Sequence, residues 1–101
     1  MNSHYAIVAW DAPDSGAKRD IHRAAHFVHI EASLDKIAIA GPVKNEAGEF
    51  TGSLFVVKAT TAAEAEAILA ADPYFGAGVW SRTEISPFVP AAGEWIGGKT
   101  W

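Results

Sequence analysis

The chain has 101 residues, half of them hydrophobic, a formal charge of −4 and no cysteine. One compact domain fits that length, because two cores would each be too small to stand alone, and the hydrophobic fraction lies well above the disordered range. The acidic balance argues against nucleic acid or an anionic membrane as the main partner, the missing cysteines exclude disulfides, thiolate nucleophiles and zinc–cysteine sites, and no run approaches the roughly 20 apolar residues of a membrane span.

The start, Met1-Asn2-Ser3-His4, has neither a basic head nor an apolar signal core, so the expected location is the cytoplasm. Tyr5 to Trp10 is a short apolar run rich in β-formers and reads as a central strand. The cluster from Asp11 to Gly16 ends it, with Asp14 or Ser15 placed to cap the following helix. Helical spacing runs from about Ala17 to Leu34, with a small-sided stripe (Ile21, Ala25, Val28, Ala32) and a bulky one (Phe27, Ile30, Leu34). A helix apolar on two sides is expected to be gripped by a sheet and by something else.

Lys36 to Gly41 reads as a second strand, ended by Gly41-Pro42, and Asn45 to Glu49 as a hairpin turn. Phe50 to Ala59 follows as a third strand, with Gly52 marking a bulge or a close backbone approach. A second helix spans Ala62 to Ala71, where Thr61 and Glu64 have capping-box spacing. Asp72-Pro73 ends that helix or caps a further short turn, and Gly78 to Ile85 is the fourth strand. The remainder is a tail rich in Pro and Gly that carries Trp95 and Trp101.

The order βαββαβ predicts an α+β, ferredoxin-like fold: a four-stranded antiparallel sheet with both helices on one face. The other face is then bare. Four tryptophans in so short a chain exceed what a small monomer buries comfortably. Together these predict a homodimer whose sheets pack face to face as a dimeric α/β barrel.

Few side chains suit chemistry. His22, His26 and His29 fall on a narrow arc of the first helix, between its apolar stripes. Residues at i and i+4 can share a metal ion, but no acidic residue on that arc completes a set, so no metal site is assigned and a plain polar shoulder is the competing reading. Imidazole, with an unperturbed pKa of about 6.5, is nonetheless the best available proton-transfer group. Asp72 either merely caps a turn or, if the end of the second helix approaches the middle of the first, orients His26. Ser53 lacks the strand-turn-helix elbow of a hydrolase serine and reads as a strand hydroxyl that could face a pocket. Trp10 and Tyr74 are candidate pocket walls, with core packing the simpler role for Trp10. Gly41 and Gly52 do not form a phosphate loop, since neither a helix start nor a lysine follows.

Five stretches carry a wider likeness: Trp10-Asp11-Ala12-Pro13-Asp14, Arg23-Ala24-Ala25-His26-Phe27, Ala40-Gly41-Pro42-Val43, Gly52-Ser53-Leu54-Phe55-Val56-Val57 and Ala70-Ala71-Asp72-Pro73-Tyr74. In this order and spacing the chain resembles the YCII-related (YciI-like) proteins over about residues 5–88, the core of a single domain whose tail covers about 89–101. The resemblance implies the dimeric α/β barrel and a site whose shared polar pair is a His and an Asp, here His26 and Asp72. Ser53, Arg23, Tyr74 and Trp10 lie in the matching stretches and are the candidate substrate-binding residues. His22 and His29 stand outside the family pattern, and the long tail departs from its usual short ending.

One class of such proteins removes HCl from a chlorinated hydroxyhydroquinone, and related barrels include lactone isomerases and cofactor-independent monooxygenases. The expectation is therefore a cofactor-free lyase or isomerase acting on a small aromatic or lactone compound, with His26 as base and Asp72 as its orienter. A non-catalytic dimer that binds a small ligand or docks on a larger enzyme is the alternative, and a metal-dependent enzyme using His22 and His26 is the third.

Overall fold

The computed structural model describes residues 3–100. Four strands, β1 (His4–Asp11), β2 (Ile37–Lys44), β3 (Phe50–Lys58) and β4 (Trp80–Pro87), form one sheet in the order β2-β3-β1-β4. All three pairings are antiparallel. Helix α1 (Ser15–Ala32) joins β1 to β2, while α2 (Ala62–Ala70) and the one-turn α3 (Pro73–Gly76) join β3 to β4. This is the ferredoxin-like α+β arrangement that the element order predicts.

Alternation along the strands sorts the two faces of the sheet. Tyr5, Ile7 and Ala9 of β1 and Phe55 and Val57 of β3 are buried, and they pack with Ala65, Leu69, Tyr74, Val79 and Trp80 in a single core under the helices. Ala6, Val8, Trp10, Ile39, Leu54 and Val56 occupy the intervening register positions on the opposite, uncovered face. Trp10 therefore lies away from the helices, half-buried beneath the Arg82 guanidinium, whose carbon sits 3.9 Å from its ring centroid.

Several boundaries differ from expectation for physical reasons. β1 continues through Asp11, and β2 runs past Gly41-Pro42 to Lys44. β2 is an edge strand, so the missing N–H of Pro42 costs the sheet no essential ladder bond. β4 starts at Trp80, later than expected, because Gly78 with φ 75° and Val79 complete the turn out of α3. α1 closes at Ala32 and Leu34–Lys36 forms a 3₁₀ turn.

At the N-terminus of α1, Asp14 takes a left-handed conformation (φ 60°) without a side-chain cap, and Ser15 instead donates its hydroxyl to Asp11 Oδ2 at 2.9 Å. The cap of α2 forms as expected: Thr61 Oγ1 accepts from the Glu64 N–H at 3.2 Å. Gly52 is required by close approach, since a Cβ there would collide with the carbonyl oxygen of Ala9. Beyond β4 the chain forms a small hairpin, β5 (Ala92–Gly93) and β6 (Gly98–Lys99), around a 3₁₀ turn at Glu94–Ile96 that leaves Trp95 exposed. Trp101 lies outside the described residues.

The largest departure concerns α1. Its inward face is Ser15, Arg19, His22, His26 and Ile30, while Ile21, Ala25, Val28 and Ala32 point to solvent. Polar bonds, rather than the small-sided apolar stripe, hold this helix against the body.

Candidate active site

An ion pair and a carboxylate–imidazole contact fasten α1. Near its start, Arg19 reaches back to the end of β1, where Nε donates to Asp11 Oδ2 and Nη2 to Asp11 Oδ1, each at 2.9 Å. Both side chains are nearly closed to solvent, at 7% and 6% exposure. The same Nη2 lies 3.2 Å from the Gly52 carbonyl oxygen and 3.3 Å from Ser53 Oγ, so the guanidinium bridges β1 to β3. Its carbon also sits 5.1 Å from the Phe50 ring centroid and 5.4 Å from that of Tyr74. A bidentate fork against a carboxylate is the arrangement in which a buried arginine retains its hydrogen bonds.

Two turns further along α1, His26 Nδ1 lies 2.8 Å from each carboxylate oxygen of Asp72. Asp72 is fully buried, because the short link from α2 into α3 folds it under α1, and its Oδ1 also accepts the Tyr74 N–H at 2.9 Å. This one carboxylate therefore caps α3 and holds the imidazole. A carboxylate only accepts, so this geometry suits a proton on His26 Nδ1, and Nε2 is the ring nitrogen turned away from Asp72. The imidazole is stacked on Tyr74, with centroids 4.0 Å apart and planes inclined by 8°.

Tyr74 is buried in turn and its hydroxyl donates to the Arg19 carbonyl oxygen at 3.2 Å. Burial raises its pKa above the ordinary tyrosine value against the lowering influence of Arg19 and Arg23, so the phenol stays neutral.

Between α1 and the β2–β3 edge of the sheet lies a cavity of about 310 Å³. His26, Ser53 and Arg19 supply polar groups, Phe27, Ile30, Phe50, Phe55 and Tyr74 supply apolar walls, and Ala40, Gly41 and Pro42 close the β2 side. The continuation of β2 through Pro42 is what builds that wall. A space of this size, mostly apolar with a few converging polar atoms, suits a ligand about as large as one substituted ring.

Of the candidates drawn from the sequence, the structure brings His26, Asp72, Ser53 and Tyr74 together. Arg23 lines the mouth of the cavity, but its guanidinium is exposed and its Nη2 donates to Asp20 Oδ1 at 2.6 Å. That neighbour raises the Arg23 pKa further above its usual value. Trp10 does not line the cavity, because strand alternation sends it to the opposite face. His29 borders a separate shallow depression with Ser33, Lys36 and Lys58, and His22 lines neither hollow. Among the described residues no three His, Asp or Glu side chains converge as metal ligands would.

Sequence reading missed Arg19 and Asp11. The available signal was helical register: Arg19 lies seven residues before His26, two turns along the same face.

Comparison with known proteins agrees with this architecture. The model of the YCII-related domain matches residues 3–89. Protein YciI of Escherichia coli O6:H1 is 35% identical over 92 residues, covering 83% of this chain and 94% of that protein, and Protein YciI of Shigella flexneri matches equally. Among solved structures, 5-chloro-2-hydroxyhydroquinone dehydrochlorinase (TftG) from Burkholderia phenoliruptrix AC1100, in complex with 2,5-dihydroxybenzoquinone, superposes with a TM-score of 0.77 at 25% identity. That match covers 90% of this chain and 96% of the dehydrochlorinase. By the extent of the family match and its identity to the YciI proteins, the chain belongs to the YCII-related family.

Proposed function

We propose that the protein is an enzyme of the lyase or isomerase type, acting on a small ring compound by proton abstraction at His26. The observation that carries this reading is the contact of His26 Nδ1 with the buried Asp72 carboxylate, beside an apolar cavity of single-ring size. Asp72 fixes the tautomer, so Nε2 is the basic nitrogen, and stacking on Tyr74 fixes the plane of the imidazole.

The chemistry follows from those groups. Nε2 takes a proton from an acidic O–H or C–H of the ring compound. In a lyase the electron pair moves through the ring and expels a leaving group such as chloride, so the net loss is one acid molecule. In an isomerase the imidazolium returns the proton to another atom. The likeness to TftG favours the first course and a hydroxylated, halogenated ring. We also propose that the bare sheet face, where Leu54 and Val43 are exposed, is covered by a second copy of the chain.

The test is turnover of chlorinated hydroxyhydroquinones, other small phenols and lactones by the wild-type protein, His26→Ala and Asp72→Asn. Both substitutions should lower kcat by roughly 10²–10⁴-fold, the usual contribution of a positioned acid–base group. Undiminished turnover in either variant would remove the dyad from the mechanism.

A further inference from the structure

Resting on that reading, we infer that Ser53 is the second polar contact to the ligand and that Arg19, clamped by Asp11, is the positioning residue that turns the Ser53 hydroxyl into a donor facing the cavity.

A serine hydroxyl donates one hydrogen bond and accepts others. Ser53 is 95% buried, since its exposure is 5%. Its Oγ faces Arg19 Nη2 at 3.3 Å, and a guanidinium can only donate, so this contact uses the accepting side of the oxygen. No residue among those described receives the Ser53 proton. Ser53 lines the cavity opposite α1, so an occupant of the cavity is the partner available to that O–H.

The donor is also strengthened. An oxygen that accepts from a cation is a better donor through its own proton, because hydrogen bonds in a chain polarise one another. Arg19 has no freedom to serve otherwise. Asp11 holds Nε and Nη2 in a fork, and Nη2 also meets the Gly52 carbonyl oxygen. The guanidinium is thereby fixed in place with most of its charge answered by Asp11. It serves as a rigid polarising support for Ser53 and not as a mobile anion clamp.

The cavity then offers two complementary groups: the accepting Nε2 of His26 and the donating O–H of Ser53. This pairing selects a ligand that gives up a proton at one position and carries an acceptor oxygen at another. Ring compounds with a carbonyl, phenolate or enolate oxygen have that character. As the proton leaves for His26, negative charge grows on the oxygen that Ser53 faces, so the bond strengthens along the reaction.

Equilibrium binding of two single-ring probes tests the assignment: 2,5-dihydroxybenzoquinone, rich in acceptor oxygens, and p-xylene, of similar outline with none. Ser53→Ala should weaken the quinone by roughly ten- to a hundredfold, the range for a hydrogen bond to a charged group, and leave p-xylene binding within about twofold. Arg19→Lys should weaken the quinone in the wild-type background but add little in the Ser53→Ala background, because it acts through Ser53.

A quinone affinity unchanged by Ser53→Ala overturns the proposal, as does an Arg19→Lys variant that weakens both probes alike, the mark of a collapsed cavity. If Arg19→Lys does not fold, the nearly isosteric Ser53→Ala decides the matter alone. Failure of the wild-type protein to bind either probe overturns the ring-compound reading and this one together, whereas an unchanged Ser53→Ala affinity overturns this one only.

Discussion

Tyr74 gathers three duties in one side chain: it stacks on His26, donates its hydroxyl to the Arg19 carbonyl oxygen and lies in the core. Because burial raises its pKa, the folded protein holds the phenolic proton more tightly than the unfolded chain. The resulting stabilisation is fully present below the ordinary tyrosine pKa of about 10 and is lost as pH rises through the higher folded value. Tyr74→Phe should therefore lower stability at neutral pH by about 1 kcal/mol, the net value of one hydrogen bond, and flatten the alkaline decline above about pH 10. Urea unfolding followed across that pH range measures both. The Asp11–Arg19 pair is more demanding. Asp11→Ala leaves a guanidinium buried without its counter-charge, and a loss of roughly 3–5 kcal/mol is expected in the same assay.

Among the elements, α1 shows where hydropathy misleads. Periodicity assigns the inside of a helix to its apolar side, yet here Arg19 and His26 face inward because each meets a buried carboxylate that lies outside the helix. Partners 8 and 46 residues away leave no trace in local spacing. The small-sided stripe is free of core packing, so Val28→Lys should change stability by less than about 0.5 kcal/mol, whereas Ile7→Ala in the fully buried middle of β1 should cost about 2–5 kcal/mol; chemical denaturation compares the two. β1, β3 and the cap of α2 were legible because their signals are local: an apolar run, a hairpin turn and Thr61 three residues before Glu64. The passage of β2 through Pro42 was not, because the tolerance of proline depends on that strand being an edge. His26 and Asp72 could be named through the family resemblance. Their contact is a product of the tertiary fold.

At the scale of the molecule, the sheet leaves Val8, Leu54 and Val56 on a face that no helix covers. On the proposal that a second copy covers this face, placing charge there, as in Leu54→Lys, should turn dimer into monomer without disturbing the cavity, which lies on the other side of the sheet; sedimentation velocity of both proteins, with 2,5-dihydroxybenzoquinone binding as the control, checks both statements. The cavity side carries a different lesson. The bonds that dock α1 on the body, Arg19 to Asp11 and His26 to Asp72, also hold two of the polar side chains that line the hollow. Architecture and the proposed reactivity thus share fasteners, and a single substitution at one of them cannot erode one while sparing the other. Loss of a single partner strands a polar group in the interior, whereas exchanging both for apolar residues can be nearly neutral. A descendant that kept the shape but abandoned the proposed reaction should therefore show these residues replaced in couples, which gives a rule for telling retired relatives from working ones.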